Sequence, residues 1–330
     1  MPDAATAAPA QADPRSGACE PAGAAKTPPQ QARSMPQQLD IFADSRDVEL
    51  RNDLAQALLD SDPDAALQVA DTLAAEFAAD PVLAPAATMV EHLRWRLALP
   101  ADARLDVAAL LGALKRLDGP VAKAAMAVLG GKEAPAWLAG QWRWLAERAG
   151  GVGWHPAQAD AHAAALYLRG QAWSQAADAV EGIESWRRIP TPLLWMTQAR
   201  WRGRGADAAW PLLAEALWMA PGRAAALLPQ LADRQLARLA ERFEHLFDPA
   251  ATAAAGWAWL PAFALVDQPL LAGPLSSATP PPQTAPGTAF TVTMALLRLE
   301  RQGRHQEIVA QRARLKALSA TLFGAYMSTR

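Results

Sequence analysis

The sequence predicts an all-α fold in which pairs of helices stack as an α-solenoid. Ala and Leu dominate its 330 residues and residues typical of β-strands are sparse, which favours helices throughout. Glycine and proline turn signals recur about every 15 to 20 residues, as they do between stacked helices. Two landmarks, Gly170 and Ala176, recur 33 residues later as Gly203 and Ala209. A fixed interval of this size indicates a helical repeat.

Residues 1–43 are predicted to be a disordered tail. They consist mainly of Ala, Pro, Gln and Gly and offer few large side chains to bury, so they cannot offset the entropy of ordering. Met35 offers an alternative start of translation, which would place Gln38 almost at the N-terminus.

The end of this tail reads Gln38-Leu39-Asp40-Ile41-Phe42. It resembles the short motif, of the form Gln-Leu-Ser/Asp-Leu-Phe, by which many bacterial replication and repair proteins hold the DNA sliding clamp. Gln38, Leu39 and Phe42 match outright, Asp40 is an accepted variant, and Ile41 replaces Leu. The resemblance implies that the Gln38 amide bonds at the mouth of the clamp pocket while Leu39 and Phe42 fill a hydrophobic cleft. The alternative is that Ile41 and Phe42 fold back onto the first helix.

Residues 44–267 are predicted to form the helical-repeat array. Asp44 or Ser45 caps the first helix, and Asp62 followed by Pro63 is typical of the start of the second. A fourth helix is expected over residues 101–117, after Pro100. Other turn signals in the first half of the array are Asp80-Pro81, Asp118-Gly119-Pro120, Gly130-Gly131 and Gly150-Gly151.

The clearest repeat covers residues 156–221. Its defining residues are Tyr167, Gly170, Ala176, Gly203, Ala209, Leu213, Ala216 and Pro221. They resemble the tetratricopeptide repeat, whose pattern places a Tyr in the first helix, an Ala and a large apolar residue in the second, and then a closing Pro. In the first unit Ile183 replaces the later Ala and Pro190 comes two residues late, and in the second unit Arg200 and Thr197 depart from the pattern. The resemblance implies a right-handed α-solenoid whose groove binds a protein partner.

The C-terminal part divides into two predicted segments. Residues 268–287, with Pro280, Pro281 and Pro282 at their centre, form a proline-rich loop. Residues 288–330 return to helical periodicity and are predicted to be C-terminal capping helices.

Charge and aromatic patterning restrict the kind of partner. The net charge is -2 and the sequence pI about 6.2, which excludes a uniformly basic surface. Residues 40–91 carry a net charge of −10 and the remainder +8, which suggests intramolecular docking or a partner with a basic face. Trp and Arg interleave at residues 94–96, 142–144, 186–188 and 200–202, as in some nucleic-acid grooves. Their helical spacing among leucines favours packing, with arginines covering the tryptophans, so nucleic acid is not an expected partner.

No motif points to catalysis, a metal or a cofactor. The five histidines lack metal-ligand spacing, residues 150–153 lack the Lys-Ser/Thr of a phosphate loop, and Cys19 is the single cysteine. The first residues lack the features of a signal peptide, and the apolar residues 250–266 are too short for a membrane span. We therefore expect a cytoplasmic, non-enzymatic scaffold that binds proteins without a cofactor. The alternatives are an accessory factor of DNA replication or repair tethered to the clamp, and a helical-domain enzyme with an unrecognised site.

Overall fold

A computed structural model describes residues 46–247 and 255–330. The predicted tail, with its clamp-like peptide, lies outside the described residues. Within them every regular element is helical and no strand occurs, which confirms the all-α prediction for this part of the chain. The helices are α1 Arg46–Leu59, α2 Pro63–Glu76, α3 Leu83–Leu97, α4 Val107–Arg116, α5 Ala122–Arg148, α6 Ala163–Arg169, α7 Trp173–Glu181, α8 Pro190–Arg204, α9 Ala206–Met219, α10 Pro221–Leu227, α11 Arg234–Phe247, α12 Leu260–Asp267, α13 Ala285–Gln302, α14 His305–Leu318 and α15 Ala320–Ser328.

Helix starts follow from local side-chain caps. The Asp62 carboxylate accepts hydrogen bonds from the backbone N–H groups of Asp64 and Ala65, and Pro63 occupies the first turn, as predicted. The fourth helix was expected from residue 101, and this boundary is wrong. It begins at Val107, because Asp106 provides the cap by accepting from the N–H of Ala109 at 2.8 Å.

Helix α5 passes through a sharp bend at Gly130, where the sequence predicted a helix end. Its backbone has φ 75° and ψ 179°, a conformation that a residue with a Cβ adopts only with strain. The helical path resumes at once beyond the bend, so α5 reaches Arg148. The kink divides α5 into two helical stretches, at the place where the Gly130-Gly131 signal predicted a helix end.

The helices pack mainly on their neighbours in the chain. From α6 to α10 each helix packs on the next, and the alternate helices α6 and α8, and α8 and α10, also touch. At the N-terminal end, α1 packs on α2, α3 and α5. The C-terminal end differs, because α15 folds back to pack on α12 as well as on α14. No helix in the described residues combines the length and apolar character that crossing a bilayer requires.

Two hydrophobic cores meet at α6. One extends from α1 to α6 and the other from α6 to α15. Tyr167 of α6 and Ala179 of α7 pack against both cores. A buried hydrogen bond adds to the first core, because Trp137 Nε1 donates to the carbonyl of Leu58 at 2.9 Å. The region of α6 and α7 therefore joins the two halves of the body.

The repeat glycines allow close helix packing. A Cβ on Gly170, at the end of α6, would lie 2.7 Å from Arg143 Cγ and 3.1 Å from the Ala139 carbonyl oxygen of α5. A Cβ on Gly203, near the end of α8, would lie 2.9 Å from Trp173 Cβ of α7. Each glycine thus lets its helix approach the helix that precedes it in the chain.

The other repeat-defining residues divide between core and turn. Ala176, Ala209, Leu213 and Ala216 are almost completely buried, and Tyr167 is half-buried. Pro221 is the first residue of α10, so the proline that closes the repeat pattern also opens the next helix.

The proline-rich segment contains two short 3₁₀ turns, Pro269–Ala272 and Pro274–Ser277. Helix α13 begins at Ala285, where Thr284 caps it by accepting from the N–H of Gly287. The segment is tied to α9 through Glu215, whose carboxylate accepts from the N–H of Thr279 at 2.9 Å. Arg187 donates two hydrogen bonds of 2.6 Å to the same carboxylate.

Candidate functional site

An open groove of about 700 Å³ lies where the two cores meet. Its walls come from the end of α5, the segment that follows α5, the helices α6 and α7, and the turn after α7. We refer to it as the α5–α7 groove. Arg104, which precedes α4, completes the wall, so two separate parts of the chain form the groove.

One rim is set by the contact between Arg104 and the end of α5. The Arg104 guanidinium donates to the backbone carbonyl of Glu147, and the N–H of Leu105 donates to the carbonyl of Arg148 at 3.1 Å. A Cβ on Gly150 would lie 2.6 Å from Arg104 Nη1. Glycine at this position therefore leaves the room that the guanidinium occupies.

An aromatic cluster borders the groove at the start of α6. The ring of His162 stacks on Trp195 of α8, with centroids 5.7 Å apart and planes at 16°. Trp154 meets both rings edge-on, at centroid distances of 6.3 Å to His162 and 5.3 Å to Trp195. Of the three, His162 and Trp154 line the groove. Such offset and edge-on contacts hold aromatic rings in fixed orientations.

His162 presents a neutral donor. Its Nδ1 accepts a hydrogen bond from the N–H of Ala164 at 3.2 Å and so caps α6. Burial lowers the pKa of His162 below its ordinary value, so the ring is neutral near pH 7. Because Nδ1 is the acceptor, the proton lies on Nε2. Within the described residues this Nε2 has no hydrogen-bond partner.

The exposed polar wall is mostly acidic. Three carboxylates line the groove, those of Glu147, Asp178 and Glu184, against the single guanidinium of Arg104. Glu147 pairs with Arg148 at 3.2 Å. Among the described residues neither Asp178 nor Glu184 forms an ion pair. The groove therefore carries uncompensated negative charge.

Tyr167 of α6 also lines the groove. Burial raises the pKa of its hydroxyl, the nearby Glu147 carboxylate raises it further, and Arg104 opposes the change. The phenol is therefore neutral at physiological pH. A neutral hydroxyl at this place can donate or accept a hydrogen bond.

Sequence reasoning placed only one residue of this groove, Tyr167. Gly170, Gly203 and the repeat alanines and leucine serve helix packing instead, and the clamp-like residues 38–42 lie outside the described residues. Gln175 and Asp178 are three residues apart in α7 and therefore share a helix face. This spacing could have predicted a polar face at this position. Glu147 and Trp154 come from other segments and reach the groove only through the fold.

In the part of the chain that the structure describes, several Arg and Trp side chains pack against each other. Guanidinium groups lie over tryptophan rings, as predicted for arginines that cover aromatic surface. The closest pairs are Arg116 over Trp95 at 4.1 Å, Arg148 over Trp144 at 4.7 Å, Arg169 over Trp142 at 4.8 Å and Arg202 over Trp173 at 5.3 Å from the ring centroid.

A second group of buried polar side chains surrounds His92, away from the groove. Gln141 Oε1 lies 3.3 Å from His92 Nε2 and accepts from Arg96 Nη1 at 2.9 Å. Burial lowers the pKa of His92 to about 4, and the charges of Arg116 and Arg96 lower it as well. In the described part of the chain no three His, Cys, Asp or Glu side chains lie close enough together to hold a metal ion.

Comparison with known proteins gives no relative for this chain. No family model, curated protein or solved structure matches it significantly. Its function is therefore inferred from the fold and the groove.

Proposed function

We propose that the chain is a non-enzymatic scaffold of the cytoplasm, a right-handed α-solenoid similar to tetratricopeptide-repeat proteins, which binds a protein partner in the α5–α7 groove. Contacts between equivalent repeat positions support the solenoid. His162 and Trp195 are separated by the same 33 residues as Gly170 and Gly203, and their rings stack on each other. Contact between equivalent positions is expected when successive units stack by translation.

The proposed binding of a protein partner rests on the openness of the α5–α7 groove and on the side chains that line it. It is open to solvent, and its walls combine aromatic rings with exposed side chains that can form hydrogen bonds and ion pairs. A partner segment laid in such a groove gains apolar contact from the rings and orientation from a few polar anchors. The groove lies at the junction of the two hydrophobic cores, which hold its walls in place.

Photocrosslinking from inside the groove tests this activity. p-Benzoylphenylalanine at the position of Gln175, an exposed groove residue, should yield a discrete adduct with a partner protein in cells. The matched control places the same group at Gln306, an exposed residue of α14. An adduct that forms equally from both positions, or from Gln306 alone, would contradict a partner site in the groove.

A second candidate function rests on the sequence at residues 38–42. In this proposal the chain is an accessory factor of DNA replication or repair, tethered by this peptide to the sliding clamp, with the helical body carrying a further partner. A synthetic peptide of residues 36–44 should bind purified clamp with about micromolar affinity. Replacing Leu39 and Phe42 by Ala should abolish binding, whereas Asp40→Ser, which keeps the motif, should preserve it. Equal affinity of all three peptides, or no binding at all, would remove this candidate.

A further inference from the structure

We infer that the α5–α7 groove takes an extended, positively charged peptide segment, whose main-chain carbonyl accepts from His162 and whose Arg or Lys side chain pairs with Asp178 and Glu184. This inference rests on the proposed function and specifies the chemistry of the partner. Two independent features of the groove lead to it, its charge and the unpaired donor of His162.

The charge of the groove favours a cationic partner. Its one guanidinium, Arg104, is engaged with the backbone of Glu147, and Glu147 already pairs with Arg148. Asp178 and Glu184 are exposed and form no ion pair among the described residues. Their charges therefore attract a cation to this wall and repel an anion such as a nucleic-acid phosphate.

The donor of His162 can bind an acceptor of the partner. The side chain is only 7 % exposed, its ring is fixed by Trp195 and by the N–H of Ala164, and its Nε2–H is unpaired within the described residues. The Nε2 atom itself is not fully buried and reaches the solvent of the groove, where an acceptor of the partner can take the place of water. A carboxylate of the partner would be repelled by the acidic wall, so an uncharged carbonyl is the better acceptor.

A peptide satisfies both requirements at once. Its backbone provides uncharged carbonyl groups at regular intervals, and its Arg or Lys side chains provide the charge. A polyamine has the charge but no carbonyl. A guanidinium forms two parallel hydrogen bonds to a carboxylate, so arginine suits either of the acids Asp178 and Glu184.

Selection from a random peptide library displayed on phage, with the full chain as bait, tests the inference. We expect the selected sequences to be enriched in Arg and Lys. The most enriched peptide, synthesised with a fluorescent label, is then titrated with the full chain and its variants by fluorescence anisotropy. The paired substitution Asp178→Asn with Glu184→Gln should weaken binding by about tenfold or more. The matched control, Asp71→Asn with Glu91→Gln, changes two exposed acids outside the groove and should leave affinity unchanged.

The variant His162→Asn tests the donor separately. Asn is a favourable helix cap and keeps an acceptor for the N–H of Ala164, but it lacks the Nε2–H group. We expect binding to weaken by about fivefold, with the helical circular dichroism of the variant retained. Unchanged affinity would overturn the role of His162.

The outcomes separate this inference from the proposed function. Uncharged or acidic peptides that are selected, and that no longer bind when Gln175→Trp fills the groove, would overturn the charge assignment and leave the groove as a partner site. Basic peptides that bind to the Gln175→Trp variant, and to the variant with both Asp178→Asn and Glu184→Gln, as tightly as to the original chain would overturn both. Failure to select any peptide would also count against both.

Discussion

Replacing the buried His92 by Gln is expected to remove a large part of the acid sensitivity of folding. The ring lies near Trp95 and Trp137, at centroid distances of 5.8 and 6.1 Å, and is 4 % exposed. Burial lowers its pKa from 6.5 to about 4 in the folded chain. Gln is uncharged, and its side-chain amide can still donate to Gln141.

The magnitude follows from the difference in pKa. Below pH 6.5 the unfolded chain takes up a proton on His92 that the folded chain refuses until about pH 4. The stability due to the neutral ring is therefore complete above pH 6.5 and is lost as the pH falls toward 4. At 1.36 kcal/mol for each pKa unit, the loss reaches about 2 kcal/mol near pH 5 and about 3 kcal/mol near pH 4.

Urea unfolding followed by circular dichroism at several pH values measures this effect. The His92→Gln variant is expected to lose about 2 kcal/mol less stability than the original chain between about pH 7 and pH 5. The control His245→Gln replaces an exposed histidine of α11 and keeps the buried His92, so it should retain the loss of about 2 kcal/mol that His92 causes. Parallel curves for the original chain and His92→Gln would refute the assigned pKa and its cause.

Two further predictions concern packing, and urea unfolding measures both. Gly203→Ala should lower the free energy of unfolding by about 1 kcal/mol, because the clash with Trp173 outweighs the gain in helix propensity. Gly112→Ala lies in an exposed turn of α4 with open space around the added methyl group and should raise the free energy of unfolding by up to about 1 kcal/mol. If both substitutions changed this free energy in the same direction, the close packing of Gly203 on Trp173 would be contradicted. Trp137→Phe should lower stability by about 1 kcal/mol, since the carbonyl of Leu58 loses the indole donor and keeps only the N–H of Ser61, and an unchanged stability would show that the indole hydrogen bond does not stabilise the fold.

Features set by local chemistry could be predicted from the sequence. The cap at Asp62 and the first-turn Pro63 depend only on residues a few positions apart, and the second helix starts where they place it. The start of α4 has a local signal of the same kind, the cap at Asp106, but Pro100 favoured a start six residues too early. Residues before it are held by the distant end of α5, through Arg104 and Leu105, and this contact exists only in the folded chain.

The repeat interval predicted close packing at Gly170 and Gly203 but not the groove beside them. A repeat pattern records which residues must be small or large between helices, so it identifies core positions. The groove instead depends on side chains that the packing leaves exposed, such as Asp178 and Glu184. His162 was missed because its donor becomes apparent only when the stacking on Trp195 and the cap at the start of α6 are both known.

Hydrogen–deuterium exchange of the full chain, with and without a saturating amount of the selected peptide, tests the partner site most directly. If the α5–α7 groove binds the partner, amide protection should increase over residues 146–184 and stay unchanged over α13, α14 and α15. Protection confined to the C-terminal helices, or an exchange pattern that the peptide does not alter, would contradict the assignment of the groove as the binding surface.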